Sequence, residues 1–370
     1  MKSEIKTAIV FGIIIVGIVA GLSTIFSLFE TSQTSIETEI GDTSANVQNI
    51  DKSSFKMAPD LVGIEQFINT TPEELSKMIE GKVVLYDFWT YSCINCVRTL
   101  PYIIAWNEKY VNDGLLIIGV HSPEFEFEKD LNNVEIAVEK HGITYPVVLD
   151  NEMKTWKAFE NRYWPRKYIA DYEGYIRYDH IGEGAYAQTE KIIQELLEER
   201  ASQLGLNVAS AESLVELEEF EHTSFRTPEL YFGYSFATGR NQLGNIEGFK
   251  PDTDVKYSFP EDLQLHYYYL DGTWKNLKGS MKLVSEEGRI KLPFFAKEVN
   301  IVTSDNAVLD IFLDGKPISS EYAGTDVVSG KIQTQEDGLY NIIKTKEASS
   351  HVLEIIITDP GFEVYTLTFG

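Results

Sequence analysis

The stretch from Val83 to Pro101, reading VVLYDFWTYSCINCVRTLP, leaves few folds open to this chain. A run of β-branched and aromatic residues reads as a buried strand. A turn follows it, and an amphipathic helix then opens on two cysteines separated by two residues. Cys93 and Cys96 are the only cysteines among 370 residues. Zinc would need four ligands, and the six histidines are scattered without paired spacing. A purely structural disulfide across so short a loop would remove little unfolded-state entropy. The remaining reading is a redox dithiol at a helix N-terminus.

The physical basis is that only a thiolate attacks a disulfide. Backbone N–H groups and the helix dipole favour negative charge at Cys93, which predicts a lowered pKa there. Cys96, one turn further in, is expected to be the more buried resolving thiol. Asp87 ends the strand six residues before Cys93, where its carboxylate can manage the pair's protons. Pro101, five residues after Cys96, is expected to kink the helix.

Residues 7–29 carry no charge, with Lys2 and Lys6 before them and Glu30 after. About 20 apolar residues span a bilayer as a helix. The charge bias then places residues 1–6 in the cytoplasm and the rest of the chain outside the cell membrane, on a single-pass anchor. A cleaved signal peptide is the competing reading, but the apolar run is long and no clear small-residue cleavage site follows it. Residues 30–57, rich in Ser, Thr, Glu and Asp, read as a flexible stalk. The net charge of −25 argues against nucleic acid as a partner.

Between 58 and 200, strands and helices alternate. Thr71-Pro72-Glu73-Glu74 reads as a helix start with a capping box. Strands are expected at Lys82–Phe88, Leu115–Val120 and Tyr145–Leu149, then a hairpin at Lys167–Ala170 and Tyr175–Ile181. Helices are expected from Cys93 to about Tyr110, over about Val134–His141, over about Met153–Asn161 and over Tyr186–Arg200. This is an α/β, thioredoxin-like arrangement with an extra strand-helix element before the hairpin. In such folds a cis proline lies against the dithiol, which points to Trp164-Pro165, with Tyr145-Pro146 as second candidate. Residues 201–223 turn polar and helical and read as a linker. From 224 to 370, period-two alternation with turn signals at Asp271-Gly272, Glu287-Gly288, Asp314-Gly315 and Asp337-Gly338 indicates an antiparallel β-sandwich, jelly-roll-like. Strands are expected there at Leu263–Leu270, Ile290–Phe295, Val308–Leu313, Val352–Ile357 and Val364–Phe369. Tyr267, Tyr268, Tyr269 and Trp274 either fill its core or form a sugar-stacking platform; strand composition favours the core.

Several separate motifs carry a family resemblance. The segment 81–100 with its Tyr91-Ser92-Cys93-Ile94-Asn95-Cys96 centre, the run 119–128 (GVHSPEFEFE), Asn161–Pro165 (NRYWP), 182–186 (GEGAY), 227–233 (TPELYFG) and 365–370 (YTLTFG) resemble the DipZ-type thiol-disulfide reductases of the TlpA-like thioredoxin superfamily. The resemblance implies that Cys93 attacks and Cys96 resolves, that Asp87 is the buried proton-handling acid, and that Trp164-Pro165 is the cis-proline site. It implies disulfide-containing protein substrates; no cofactor and no metal are expected. It also implies a C-terminal domain similar to carbohydrate-binding modules, which is no evidence that this one binds a glycan. DipZ-type proteins begin with a multi-helix electron-transfer domain where this chain has one apolar segment, so a separate membrane donor of the CcdA/DsbD type is expected. Thr99 stands where some cytochrome-maturation reductases carry Glu, which weighs against a dedicated apocytochrome role.

The expected function is therefore a membrane-anchored, extracytoplasmic thiol-disulfide oxidoreductase. The uncharged Ile94-Asn95 between the cysteines favours reduction over oxidation. The rivals are a surface glycan- or protein-binding protein that uses the thioredoxin-like domain as scaffold, and a thiol peroxidase, against which the paired cysteines argue.

Overall fold

Strand β2 (Val83–Trp89) is buried at every position because both faces of its sheet are covered. The computed structural model describes residues 51–370 apart from 207–212, 223–225, 238 and 241. The apolar segment 7–29 and most of the stalk lie outside the described residues. No helix among those described is long and apolar enough to cross a membrane.

The first half runs β1 (Gln66–Ile68), α1 (Pro72–Ile79), β2 (Val83–Trp89), α2 (Ile94–Tyr110), β3 (Leu115–His121), α3 (Leu131–Lys140), β4 (Val147–Leu149), α4 (Lys154–Ala158), β5 (Arg166–Ala170), β6 (Ile176–Ile181) and α5 (Tyr186–Leu204). The strands form a mixed sheet in the order β1-β4-β3-β2-β5-β6, with β2, β3 and β4 parallel and the others antiparallel. Strand residues alternate faces. Val83, Leu85 and Trp89 enter a core with Cys96, Leu100, Ile103 and Trp106 of α2, whereas Val84, Tyr86 and Phe88 enter a second core on the other side. Asp87 shares the first face, beneath the helix that carries the cysteines.

Local chemistry explains most boundaries. Thr71 caps α1, Glu74 closes the capping box and Pro72 opens the first turn, as its sequence predicts. Helix α2 runs through Pro101 to Tyr110. The helix expected over about 153–161 is only Lys154–Ala158, started by the Asp150 carboxylate, which accepts the N–H groups of Lys154, Thr155 and Trp156. Strand β1 was not expected. Its three residues carry no strong pattern, and pairing with β4 imposes its conformation.

Among its described residues, the expected helical linker is helical only over residues 201–204, where it continues the closing helix. Helix α5 stops at Leu204, where Gly205 takes a left-handed φ of 64°, and no described residue of 213–222 is helical. That strap is tied down: Val215 N–H donates to Glu190 at 2.8 Å and the Tyr102 hydroxyl to the Leu217 carbonyl at 3.0 Å.

The second half runs β7 (Leu230–Tyr231), the short α6 (Tyr234–Ala237), β8 (Asp254–Tyr257), β9 (Tyr269–Asn276), β10 (Met281–Leu283), β11 (Gly288–Ser304), β12 (Ala307–Leu313), β13 (Lys316–Pro317), β14 (Lys331–Thr334), β15 (Gly338–Ile357) and β16 (Glu363–Phe369). These strands form one large antiparallel sheet system around a core that includes Trp274, Leu292, Phe294, Leu309, Ile355 and Leu367. The short segments expected at 290–295 and 352–357 belong to two long strands, β11 and β15, whose mutual register shifts near Ala296 and Val299. The strand expected over 263–270 starts at Tyr269, and Asp271-Gly272 lies inside it instead of turning. Gly272 is needed there for close approach, since a Cβ would stand 2.7 Å from the Glu287 carbonyl oxygen. Tyr268 and Trp274 fill the core and Tyr269 is buried, while Tyr267 is only partly buried.

The two halves pack together. Phe125 and Phe127 meet Tyr231, Phe236 and Tyr365 in an aromatic cluster, with Phe127 and Tyr365 ring centres 4.8 Å apart. Arg98 of α2 pairs with Glu298 of β11 and stacks on Phe220.

Candidate active site

The turn after β2 delivers Cys93 to the N-cap of α2. Its Sγ accepts the Cys96 N–H at 3.4 Å, and its carbonyl starts the helix by accepting from Val97 N–H. Both thiols are free. Cys93 is partly exposed, whereas Cys96 is 1% exposed. Burial pushes the Cys96 thiol well above its ordinary range. The adjacent Cys93 and the Asp87 carboxylate add to this, against a hydrogen bond at Thr90. The outer sulfur is therefore placed to meet a substrate, and the inner one holds its proton until a base removes it.

Asp87 is close enough for its charge to act on that thiol. It is 1% exposed, its Oδ1 has no hydrogen-bond partner among the described residues, and burial pushes its carboxyl up to about 6. One charge opposes this shift, the Lys167 ammonium. Lys167 sits directly opposite Asp87 in the β2–β5 pairing and is itself fully buried. Burial lowers its pKa, while Asp87, Cys96 and Glu183 hold its charge on, and Nζ donates to the Gly182 carbonyl at 3.1 Å. Lys167 carries no sequence signal of its own, because a lysine within a hairpin strand reads as solvent-facing. Its place two residues after Pro165, opposite Asp87, is visible only with the register in hand.

The Trp164-Pro165 peptide is cis and Tyr145-Pro146 is not. Pro165 leads into β5, whose Arg166 pairs with Phe88, so it lies at the end of the sheet from which the cysteine loop departs. Trp164 is held by a hydrogen bond from Nε1 to the Ser122 carbonyl at 2.9 Å and by Trp156, its ring centre 4.2 Å away. It acts as a support for the proline loop.

Two further residues, both in the 119–128 motif, shape the loop before Cys93. Glu128 is buried and accepts the Ser92 hydroxyl at 2.5 Å and the backbone N–H groups of Glu124 and Phe125. His121, pushed down to about 3 by burial and so neutral, contacts the Thr90 hydroxyl at 3.3 Å and stacks on Tyr91. The sequence signal for both was the motif itself, without a role attached.

A buried proton-holding carboxyl beneath a half-exposed dithiol is the chemistry of thiol-disulfide exchange, and known proteins agree. Residues 56–197 match the Redoxin family, and 227–370 match the family described as "Thioredoxin like C-terminal domain". The chain is 32% identical over 143 residues to the thiol-disulfide oxidoreductase YkuV of Bacillus subtilis, covering 38% of this chain and 94% of that one. This chain belongs to the thioredoxin-like thiol-disulfide oxidoreductases. The oxidoreductase is also 34% identical over 316 residues to the DipZ protein of Mycobacterium tuberculosis, a match that takes in 85% of this chain and so both halves. It spans 43% of that relative's length. ResA of Halalkalibacterium halodurans is 28% identical over 140 residues, 36% of this chain and 74% of that protein.

Proposed function

We infer that this oxidoreductase is a membrane-anchored, extracytoplasmic reductase of protein disulfides, recharged by a separate membrane electron donor. One observation carries the chemistry: half-exposed Cys93 caps α2 while buried Cys96 stands over a carboxyl held near neutrality. The Cys93 thiolate attacks a substrate disulfide, forming a mixed disulfide and releasing one substrate thiolate. Asp87 takes the Cys96 proton, the Cys96 thiolate attacks Cys93 Sγ, and the second substrate sulfur leaves. The substrate gains two electrons and the enzyme closes its disulfide, which the donor reopens with two electrons.

The uncharged segment 7–29 between Lys2, Lys6 and Glu30 supports the anchor and the outside location. The absence of a cation between the cysteines supports the reducing direction. A measured reduction potential near the roughly −270 mV of thioredoxin is expected, and one near the roughly −120 mV of DsbA would overturn that direction. Cys93→Ser is expected to abolish insulin reduction. Protease added to intact spheroplasts should digest residues 51–370; full protection would sink the outside location. Burial of Tyr268, Tyr269 and Trp274 weighs against a glycan-stacking platform built from the aromatic run 267–274, of which only Tyr267 is partly exposed.

A further inference from the structure

A cavity of about 280 Å³ lies against the active-site loop, and both halves of the chain build it. On one side are Tyr91, Ile94 and Val97, which bracket the cysteine pair, with Ile136 of α3 beside them. Ile94 and Val97 stand one turn apart on α2, so they form one apolar face next to Cys93. Across from them stand Asn300 of β11 and Leu339 of β15.

One buried polar group in these walls, the Asn300 Nδ2, has no hydrogen-bond partner among the described residues. Tyr91 is 7% exposed and Asn300 is 0% exposed. Asn133, beside Tyr91, donates its amide to the Phe127 carbonyl and to Asp337 and also interacts with the Tyr91 hydroxyl. The Asn300 Oδ1 accepts from Asn341 at 2.8 Å, which orients its free NH₂ group. Native proteins rarely bury donors unpaired, because desolvation is then uncompensated. Three of the acidic groups around the cavity are engaged, Glu298 by Arg98, Asp326 by the Asn341 N–H and Asp337 by the Asp305 N–H, while Glu336, Lys140, His141 and Lys344 stand at its margin with charges of both signs.

An apolar wall with an unsatisfied amide donor beside it matches a peptide segment, which offers a carbonyl acceptor beside each side chain. The volume falls just under the roughly 300–1,000 Å³ of drug-sized ligand sites, the scale of one large side chain with its peptide group. We propose that this cavity is the subsite for an uncharged apolar side chain flanking the target cysteine of a polypeptide substrate, with the C-terminal domain forming half of that recognition surface. The proposal rests on the disulfide-exchange reading above and names its substrate class. It also gives the C-terminal domain a part in the redox reaction.

The test is single-turnover reduction, by the pre-reduced full chain, of symmetric disulfide-linked peptides with Leu, Ala, Asp or Lys placed next to the cysteine, before it in one series and after it in another. In at least one series Leu is expected to react about tenfold faster than Ala or Asp. Ile136→Trp and Leu339→Trp, which fill the cavity from opposite walls, should each bring the Leu-to-Ala ratio close to one. That ratio is independent of the fraction of active protein, so a partly folded variant still reports. Equal rates across the peptides, a preference for Lys or Asp, or a Leu preference that survives both filled variants would overturn the subsite while leaving the redox reading standing. Competition by chitotetraose in place of a Leu preference would assign the cavity to sugar and overturn it as well. A wild type that reduces neither the peptides nor 2-hydroxyethyl disulfide would instead remove the redox reading itself.

Discussion

Asp87 and Lys167 face each other across two strands in a site with no exposure to water. Desolvation moves each toward neutrality and their mutual attraction restrains both. The rise of Asp87 from 3.8 to about 6 has a consequence for stability. Its folded form binds the proton more tightly than the unfolded form does. The stabilisation is therefore present below about pH 4 and is lost as pH rises through about 6. A shift of this size corresponds to about 3 kcal/mol. Urea titrations at pH 3.5 and pH 7.5 should show wild type losing roughly that much relative to Asp87→Asn, and parallel pH profiles would refute it. The same variant should accumulate the mixed disulfide on Cys93, because no base remains for Cys96. In Lys167→Met the opposing charge is gone, so the pH midpoint of the resolving step should move up; an unmoved midpoint would mean that Lys167 does not act on Asp87. Asp87 was legible in the sequence because it interrupts an apolar strand. Lys167 was not, because strand register is a long-range property.

Single elements follow local rules where local chemistry is strong. The capping box of α1, the helix opening at Cys93 and the Asp314-Gly315 turn all appear where their residue types place them. Elements without such signals were decided by partners: β1 by β4, and the strap at 213–222 by Glu190 and Tyr102. Helix α4 is an intermediate case, five residues long and dependent on one carboxylate that accepts three N–H groups. Asp150→Ala leaves those groups unpaired and should cost about 1–3 kcal/mol in chemical denaturation. Because Trp156 of this helix carries Trp164, disulfide reduction should slow as well. Unchanged activity in a destabilised Asp150→Ala protein would show that Trp164 does not depend on α4.

Across the whole molecule, the aromatic cluster around Phe125 and the Arg98–Glu298 pair join two folds that each own a core. Removing a buried Phe typically costs about 3–5 kcal/mol. Calorimetry of the intact chain should show one cooperative transition, and Phe125→Ala should split it in two. Two resolved transitions in wild type would refute the coupling. The coupling also bears on activity, since Arg98 lies on α2 two residues after Cys96 and its partner Glu298 borders the cavity beside that helix.

Sequence alone determined the dithiol, its strand-to-helix setting and the buried acid, because these depend on contiguous residues and on polarity patterns that a few turns of chain display. It also determined the antiparallel character of the C-terminal half through period-two alternation. Tertiary structure alone decided that a lysine from a distant hairpin faces Asp87, that the 20-residue β15 and 17-residue β11 form a wall beside the cysteine helix, and that Glu128 holds the loop before Cys93. Each of these joins residues far apart in the chain. Register and domain packing, which burial energy selects over the whole molecule, bring them together.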